Sequence, residues 1–151
     1  MKFINSIQVT MTITAGAYTI GDSVGGLLTF ANAVRENGGG ALISSIKYSA
    51  VTAIAYNLWF LNANLVTNAP DLDPFTLVVA DQPKVLGVVP IAAADFQTGV
   101  AAFVTATVRN VCLMVKAAAA TKNIYAYLVA TAVTAPGSTA AYLTVDFLPD
   151  E

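Results

Sequence analysis

The chain has no histidine, one cysteine and few charges: seven Lys or Arg and nine Asp or Glu among 151 residues. Charged residues make up 11% of it, against about 25% in an ordinary soluble domain. Each shortage excludes something. Histidine is the side chain most often used to move protons near neutrality and the commonest imidazole metal ligand, so Ser-His and Cys-His pairs cannot form here. Cys112 has no partner for an internal disulfide. In the apolar run Val111-Cys112-Leu113-Met114-Val115 it reads as a small buried hydrophobe. The seven cations stand singly along the chain and the formal net charge is −2, so no basic stripe for nucleic acid is expected.

Long apolar runs are also missing. The two longest stretches without charge, Tyr48–Pro70 and Asn123–Val145, are interrupted by Asn57, Asn62, Asn64 and Asn68 in the first and by Pro136-Gly137 in the second. Neither suits a membrane-spanning helix of about 20 residues. The N-terminal residues carry one positive charge but no apolar core with a cleavage site, so a signal peptide is not expected. Alternation alone would also suit a transmembrane barrel, but no aromatic girdles mark the strand ends.

What the chain does have is apolar surface. Hydrophobic residues make up 56% of it, with little besides Thr, Ser and Asn to cover the outside. The simplest physical solution is burial against copies of itself or a larger partner. A structural or assembly protein is therefore expected, and not an enzyme.

The pattern is that of strands. Ile7-Gln8-Val9-Thr10-Met11-Thr12-Ile13-Thr14 alternates apolar and polar residues strictly, and a period of two is that of a half-buried strand. Ile7, Val9, Met11 and Ile13 would line a core or a subunit contact. Further candidates are Leu27–Ala33, Ala41–Ala50, Ala53–Asn62, Lys84–Ile91, Ala101–Lys116, Asn123–Val133 and Ala140–Leu148. The long Ala101–Lys116 run is either one strand with a bulge near Arg109-Asn110 or two strands. Gly38-Gly39-Gly40, Asn68–Pro74 and Pro136-Gly137-Ser138 punctuate them as turns or loops. Eight or nine strands with breaks every ten to fifteen residues or so predict an all-β antiparallel sandwich, jelly-roll-like, with at most one or two short helical turns. One such turn is expected at Asp73–Val79, from its N-cap-like Asp and following Pro. Residues 1–14 read as an N-terminal strand or arm, which could pair with a neighbour's sheet edge, and 15–151 as a single sandwich domain.

Candidate sites are sparse. Gly21, Gly25 and Gly26 precede a strand and no phosphate-loop lysine follows, so they read as turn glycines. Asp71 and Asp73 could lend two oxygens to Ca²⁺, but a complete site needs six to eight or so, and capping is the simpler role. Ser45 and Lys47 lie on one strand face, a Ser–Lys dyad in spacing only. No Gly-x-Ser-x-Gly nucleophile elbow, cofactor site or metal site is expected. Around Trp59 both faces of the strand are apolar, with Tyr56, Leu58 and Phe60 on one side and Trp59 and Leu61 on the other. In a two-layer sandwich the second face needs cover, and a second subunit is expected to supply it. Ile7, Val9, Met11, Ile13, Trp59 and Leu61 are thus the candidate interface residues. A carbohydrate platform built on Trp59 is the rival reading.

Gly21-Asp22-Ser23-Val24-Gly25-Gly26-Leu27-Leu28-Thr29-Phe30-Ala31-Asn32-Ala33 resembles the opening of small phage structural proteins of the capsid decoration (cement) type. Leu42-Ile43-Ser44-Ser45-Ile46, Leu58-Trp59-Phe60-Leu61-Asn62-Ala63-Asn64 and Lys84-Val85-Leu86-Gly87-Val88-Val89 are similar to later strand phrases of such sequences. Residues 57 and 63–66 depart from that pattern in being less acidic. The resemblance carries no catalytic motif. It implies a β-sandwich virion component, commonly a homotrimer, that sits on the capsid surface, binds the major capsid protein and is made in the host cytoplasm. A receptor- or carbohydrate-binding sandwich at a phage fibre or tail tip is the alternative.

Overall fold

The structure, a computed structural model, describes residues 3–98, 103–135 and 139–150. Among them are nine strands: β1 (Asn5–Ile13), β2 (Ser23–Phe30), β3 (Gly40–Ala50), β4 (Tyr56–Leu61), β5 (Val85–Ile91), β6 (Phe96–Thr98), β7 (Val104–Lys116), β8 (Ile124–Ala130) and β9 (Thr139–Pro149). Two 3-10 turns, Val79–Lys84 and Ala93–Asp95, complete the regular structure. The strands form a five-stranded sheet, β1-β9-β3-β7-β6, and a four-stranded sheet, β2-β8-β4-β5. Every pairing is antiparallel.

The pairings are nested. β1 lies against β9, β2 against β8, β3 against β7 and β4 against β5. A chain doubled back on itself at the β4–β5 connection and then rolled gives this order, which is that of a jelly roll. Period-two alternation places one side of each strand inside. On β9, Ala141, Leu143, Val145 and Phe147 are all sealed in the core. Phe30 of β2 meets Phe147 edge-on at 5.5 Å, joining the two sheets, and lies 6.2 Å from Phe60. Tyr48 and Tyr56 pack edge to face at 5.4 Å.

β1 is a strand of the sandwich. It pairs with β9 from Asn5 to Ile13, and Met11 and Ile13 enter the core, so residues 5–13 do not reach away as an arm. The neighbouring strand β2 carries Gly25 and Gly26 at φ of 79° and 70°, where its register with β8 slips. A Cβ at Gly25 would come 3.0 Å from the Cβ of Met11, so glycine both turns the backbone and admits the close approach.

The run Val104–Lys116 is one strand with a bulge. The β3 register slips between Ile43, opposite Leu113, and Ser45, opposite Arg109. Asn110 and Cys112 take left-handed φ values of 56° and 52° within the slipped stretch. The bulge turns Cys112 outward, and the thiol expected to be buried is exposed. Apolar neighbours on both sides concealed this, because a bulge breaks the two-residue period on which the expectation rested.

The turn expected at Asp73–Val79 forms later, at Val79–Lys84. The backbone of 73–75 is committed elsewhere: Ser23 N–H donates to the Asp73 carbonyl and Phe75 N–H to the Gly21 carbonyl, both at 2.8 Å. Those bonds hold the segment extended along the edge of β2.

Candidate interaction surfaces

The second apolar face of β4 is covered by the chain itself. Residues 62–84 leave β4, cross the outer face of the four-stranded sheet and return to β5. Beneath them Leu61, Leu65, Ala69, Tyr127 and Val129 form a second buried cluster, with Trp59, Phe75, Val85, Tyr125 and Leu27 packed against it. Phe75 stacks obliquely between Trp59 and Tyr127, 5.3 Å from each. This strap corrects the expectation that a second subunit must cover Trp59 and Leu61. Leu61, Met11 and Ile13 are fully enclosed by their own chain, while Ile7, Val9 and Trp59 are half-buried.

Polar groups pin the strap at two places. The buried Asp81 carboxylate accepts from Val66 N–H at 2.9 Å, Val78 N–H at 3.2 Å and the Lys84 ammonium at 2.9 Å. Lys84 also donates to the Asn64 carbonyl at 2.8 Å. The Lys84 hydrogen bond, opposed by burial and aided by the two backbone N–H groups, holds the Asp81 carboxyl below the usual carboxylate range. Nearby, the Tyr127 hydroxyl stands 2.7 and 2.8 Å from the side-chain oxygens of Asn64 and Asn68.

The other anchor is Asp71. Its carboxylate accepts from Gly25 N–H at 2.6 Å, Tyr18 O–H at 2.8 Å and Thr14 N–H at 2.9 Å. Burial pushes this carboxyl up, but the three donors together outweigh it and leave it lowered. Those bonds commit the Asp71 oxygens, one of the two carboxylates that the sequence offered to a cation. Among the described residues no three His, Cys, Asp or Glu side chains are grouped to hold a metal ion.

One motif escaped the sequence reading. Gly21-Asp22-Ser23-Val24-Gly25 has the Gly-x-Ser-x-Gly spacing of a nucleophile elbow. Its context is wrong for that role. Ser23 opens a strand that no helix follows, its side chain is fully buried, and its backbone is tied to Asp73 and Leu72. The buried hydroxyl has no hydrogen-bond partner among the described residues and no histidine to serve as its base. The Ser45 hydroxyl, by contrast, is occupied, donating to Asp146 at 2.5 Å, while Ser6 donates to the other Asp146 oxygen.

One end of the sandwich gathers exposed apolar side chains. Pairing places the described residues of the connections 14–22, 51–55, 92–103 and 131–138 together at one end of the sandwich, because Ile13 lies beside Thr139, Ala50 beside Val104, Ser23 beside Val129 and Tyr56 beside Ile91. Those four connections contain two charged residues, Asp22 and Asp95. Both are absorbed locally: Asp22 accepts from Thr19 N–H at 2.7 Å, and Asp95 from Ala92 N–H at 2.8 Å. The same end exposes Ile20 (70%), Val51, Phe103 and Val133 (71%). Connections 31–39, 62–84 and 117–123 carry Arg35, Glu36, Asp71, Asp73, Asp81, Lys84 and Lys122, and the strap brings Asp71 and Asp73 beside Thr14, Tyr18 and Ser23 at that same end. A groove of about 330 Å³ lies on the outer face of the five-stranded sheet, lined by Gln8, Lys47, Ser49, Tyr142 and Thr144 among others.

No protein-family model matches the chain. No curated protein matches it either. Among solved structures it is similar to a chain from Desmodium yellow mottle tymovirus, with 13% identity and a TM-score of 0.28, over 99% of this chain and 89% of that one. So distant a likeness carries no argument, and the fold rests on the strand order described above.

Proposed function

We propose that this chain is a non-enzymatic virion structural protein, a capsid decoration (cement) protein that self-associates and fastens to the major capsid shell. The observation that carries the reading is the exposed apolar cluster at one end of the sandwich. A surface exposing Ile20, Val51, Phe103 and Val133, beside which the carboxylates of Asp22, Asp71 and Asp95 are already hydrogen-bonded and Asp73 is exposed, can be buried against protein while stripping water from few unpaired charges. Apolar burial contributes about 25 cal/mol per Å², offset by the costs of association and ordering. On a lattice, many modest contacts act together, so each can be weak. The strand phrases that resemble phage decoration proteins support the same reading, and such proteins are commonly trimers. The docked surface is a neutral, apolar patch on the outside of a protein shell.

The test uses empty shells assembled from the major capsid protein of the virus that carries this chain. The purified chain should sediment with them and raise their melting temperature. Ile20→Asp combined with Val133→Asp should abolish both effects while leaving the chain folded, since both positions are exposed. Shells that melt unchanged, or a double variant that binds like wild type, would overturn the reading.

The groove favours a second reading, a carbohydrate- or receptor-binding sandwich at a fibre or tail tip. Tyr142 offers a ring face there among the hydroxyl and amide groups of Ser49, Thr144 and Gln8. Trp59, under Phe75, does not form such a platform. Glycan retention lost in Tyr142→Ala supports this second reading; no retention by the wild type removes it.

A further inference from the structure

A two-sheet sandwich has four edges, and this one protects three of them. β2 is overlaid by residues 72–75, which make backbone hydrogen bonds to Ser23 and Gly21, and it is kinked at Gly25 and Gly26. β5 contains Pro90 and a register slip opposite Phe60 and Leu61. On the far side of the five-stranded sheet β6 pairs with Val104–Ala106, and the rest of β7 carries Arg109, Lys116 and the left-handed bulge at Asn110 and Cys112. Charges, prolines, bulges and overlying loops are the devices by which proteins keep strand edges from pairing with other chains.

β1 has none of these devices. It is nine residues long, regular in register, and free of charge, proline and glycine. Among the described residues its second edge carries no strand and no backbone hydrogen bond. The lack of cover is greatest towards its start. Met11 and Ile13 are sealed, with β2 close by at Gly25, whereas Ile7 and Val9 remain half-buried, and Phe3 and Ile4 just before the strand are exposed at 63% and 61%.

We propose that β1 pairs antiparallel with β1 of a second copy about a two-fold axis at Ile7, joining two five-stranded sheets into one. The occupant follows from self-complementarity. In this register Ser6 faces Gln8 of the second copy, Asn5 faces Val9, Ile4 faces Thr10 and Phe3 faces Met11. Strand alternation then puts Ser6 and Gln8 of both copies on the polar face, and Phe3, Ile7 and Val9 on the apolar one. A strand without charge meets its own copy without like-charge repulsion. The contact is isologous and therefore closes at two chains. This deepens the self-association in the proposed function by naming the surface, and it replaces the trimer with a dimer.

The isolated chain, without shells, provides the test. Light scattering across a concentration series should give a mass twice that of the chain. Ser6→Lys with Gln8→Lys sets lysines directly opposite one another at two places, and like charges so placed should weaken the dimer by roughly tenfold or more. Ser6→Lys with Gln8→Glu sets lysine opposite glutamate at the same two places and should restore association. A monomeric wild type, or a trimer indifferent to both pairs of substitutions, would sink this contact. A trimer that still binds shells would leave the decoration reading standing. A β1-dependent dimer that fails to bind shells would overturn the decoration reading alone.

Discussion

The Tyr18 hydroxyl donates a 2.8 Å hydrogen bond to the Asp71 carboxylate, 53 residues away in sequence. It ties the connection after β1 to the strap over the four-stranded sheet, and the same carboxylate holds the backbone of Thr14 and Gly25. One side chain thus joins three segments that share no strand ladder. Asp71→Asn, which keeps the shape and loses the charge, should cost about 1.5–3 kcal/mol, the range for hydrogen bonds to a charged group. Tyr18→Phe should cost about 1 kcal/mol. Urea unfolding of each variant checks this through a lower midpoint at unchanged slope; a midpoint within error of wild type for Asp71→Asn would refute it.

Stability should be flat across neutral pH and fall at both extremes. The Asp71 and Asp81 carboxyls are lowered in the folded chain. Their stabilisation is complete above the unfolded carboxylate pKa of about 3.9 and is lost as pH falls through the lower folded values. Tyr18, Tyr48, Tyr56 and Tyr127 are raised, with burial the largest cause in each. Their contribution is complete below the unfolded phenol pKa of about 10 and is lost as pH rises towards the folded values. No histidine is present to titrate between these limits. Calorimetric scans from about pH 3 to pH 11 should show a plateau from roughly 5 to 9, with the acid limb shallower in Asp71→Asn.

Trp59 is the one tryptophan in the chain, and it touches the strap through Phe75. Phe75→Ala should remove the ring that wedges Trp59 against Tyr127, at a cost of about 2 kcal/mol for a partly buried aromatic. The sandwich core should persist, because the strap cluster is separate from it. The expected signature is a red-shifted Trp59 emission and faster amide exchange over residues 62–84, with β3 and β9 unchanged. Uniformly faster exchange throughout would instead make the strap part of the main cooperative unit.

Cys112 should react with a water-soluble disulfide reagent in the native protein, one thiol per chain without denaturant, since the bulge exposes it. A thiol that reacts only in urea would place the side chain inside, as its apolar neighbours alone suggest.

How much of this was legible in the residues can be traced element by element. The alternation from Ile7 to Thr14 marked β1, and that of Ala140–Leu148 marked β9, each within a few residues of its observed bounds. The turn residues set the strand count, and the sandwich class followed. The strap was not legible. Residues 62–84 have neither a two-residue nor a helical period, so nothing local announced that they cover Trp59 and Leu61. The anchoring roles of Asp71 and Asp81 were not legible either, because their partners Tyr18, Gly25 and Val66 are brought to them only by the tertiary fold. The Gly-x-Ser-x-Gly spacing shows the opposite case, a local signal that its surroundings cancel.

The sequence by itself determined which faces of the strands turn away from water, because alternation is a property of successive residues and needs no partner to be read. It also determined that proton chemistry near neutrality has no histidine to use. Only the tertiary structure decided what covers each apolar face. Coverage depends on which distant segment arrives there, and the nested pairing brings the chain's own strap to β4 while leaving the far edge of β1 without a neighbouring strand among the described residues.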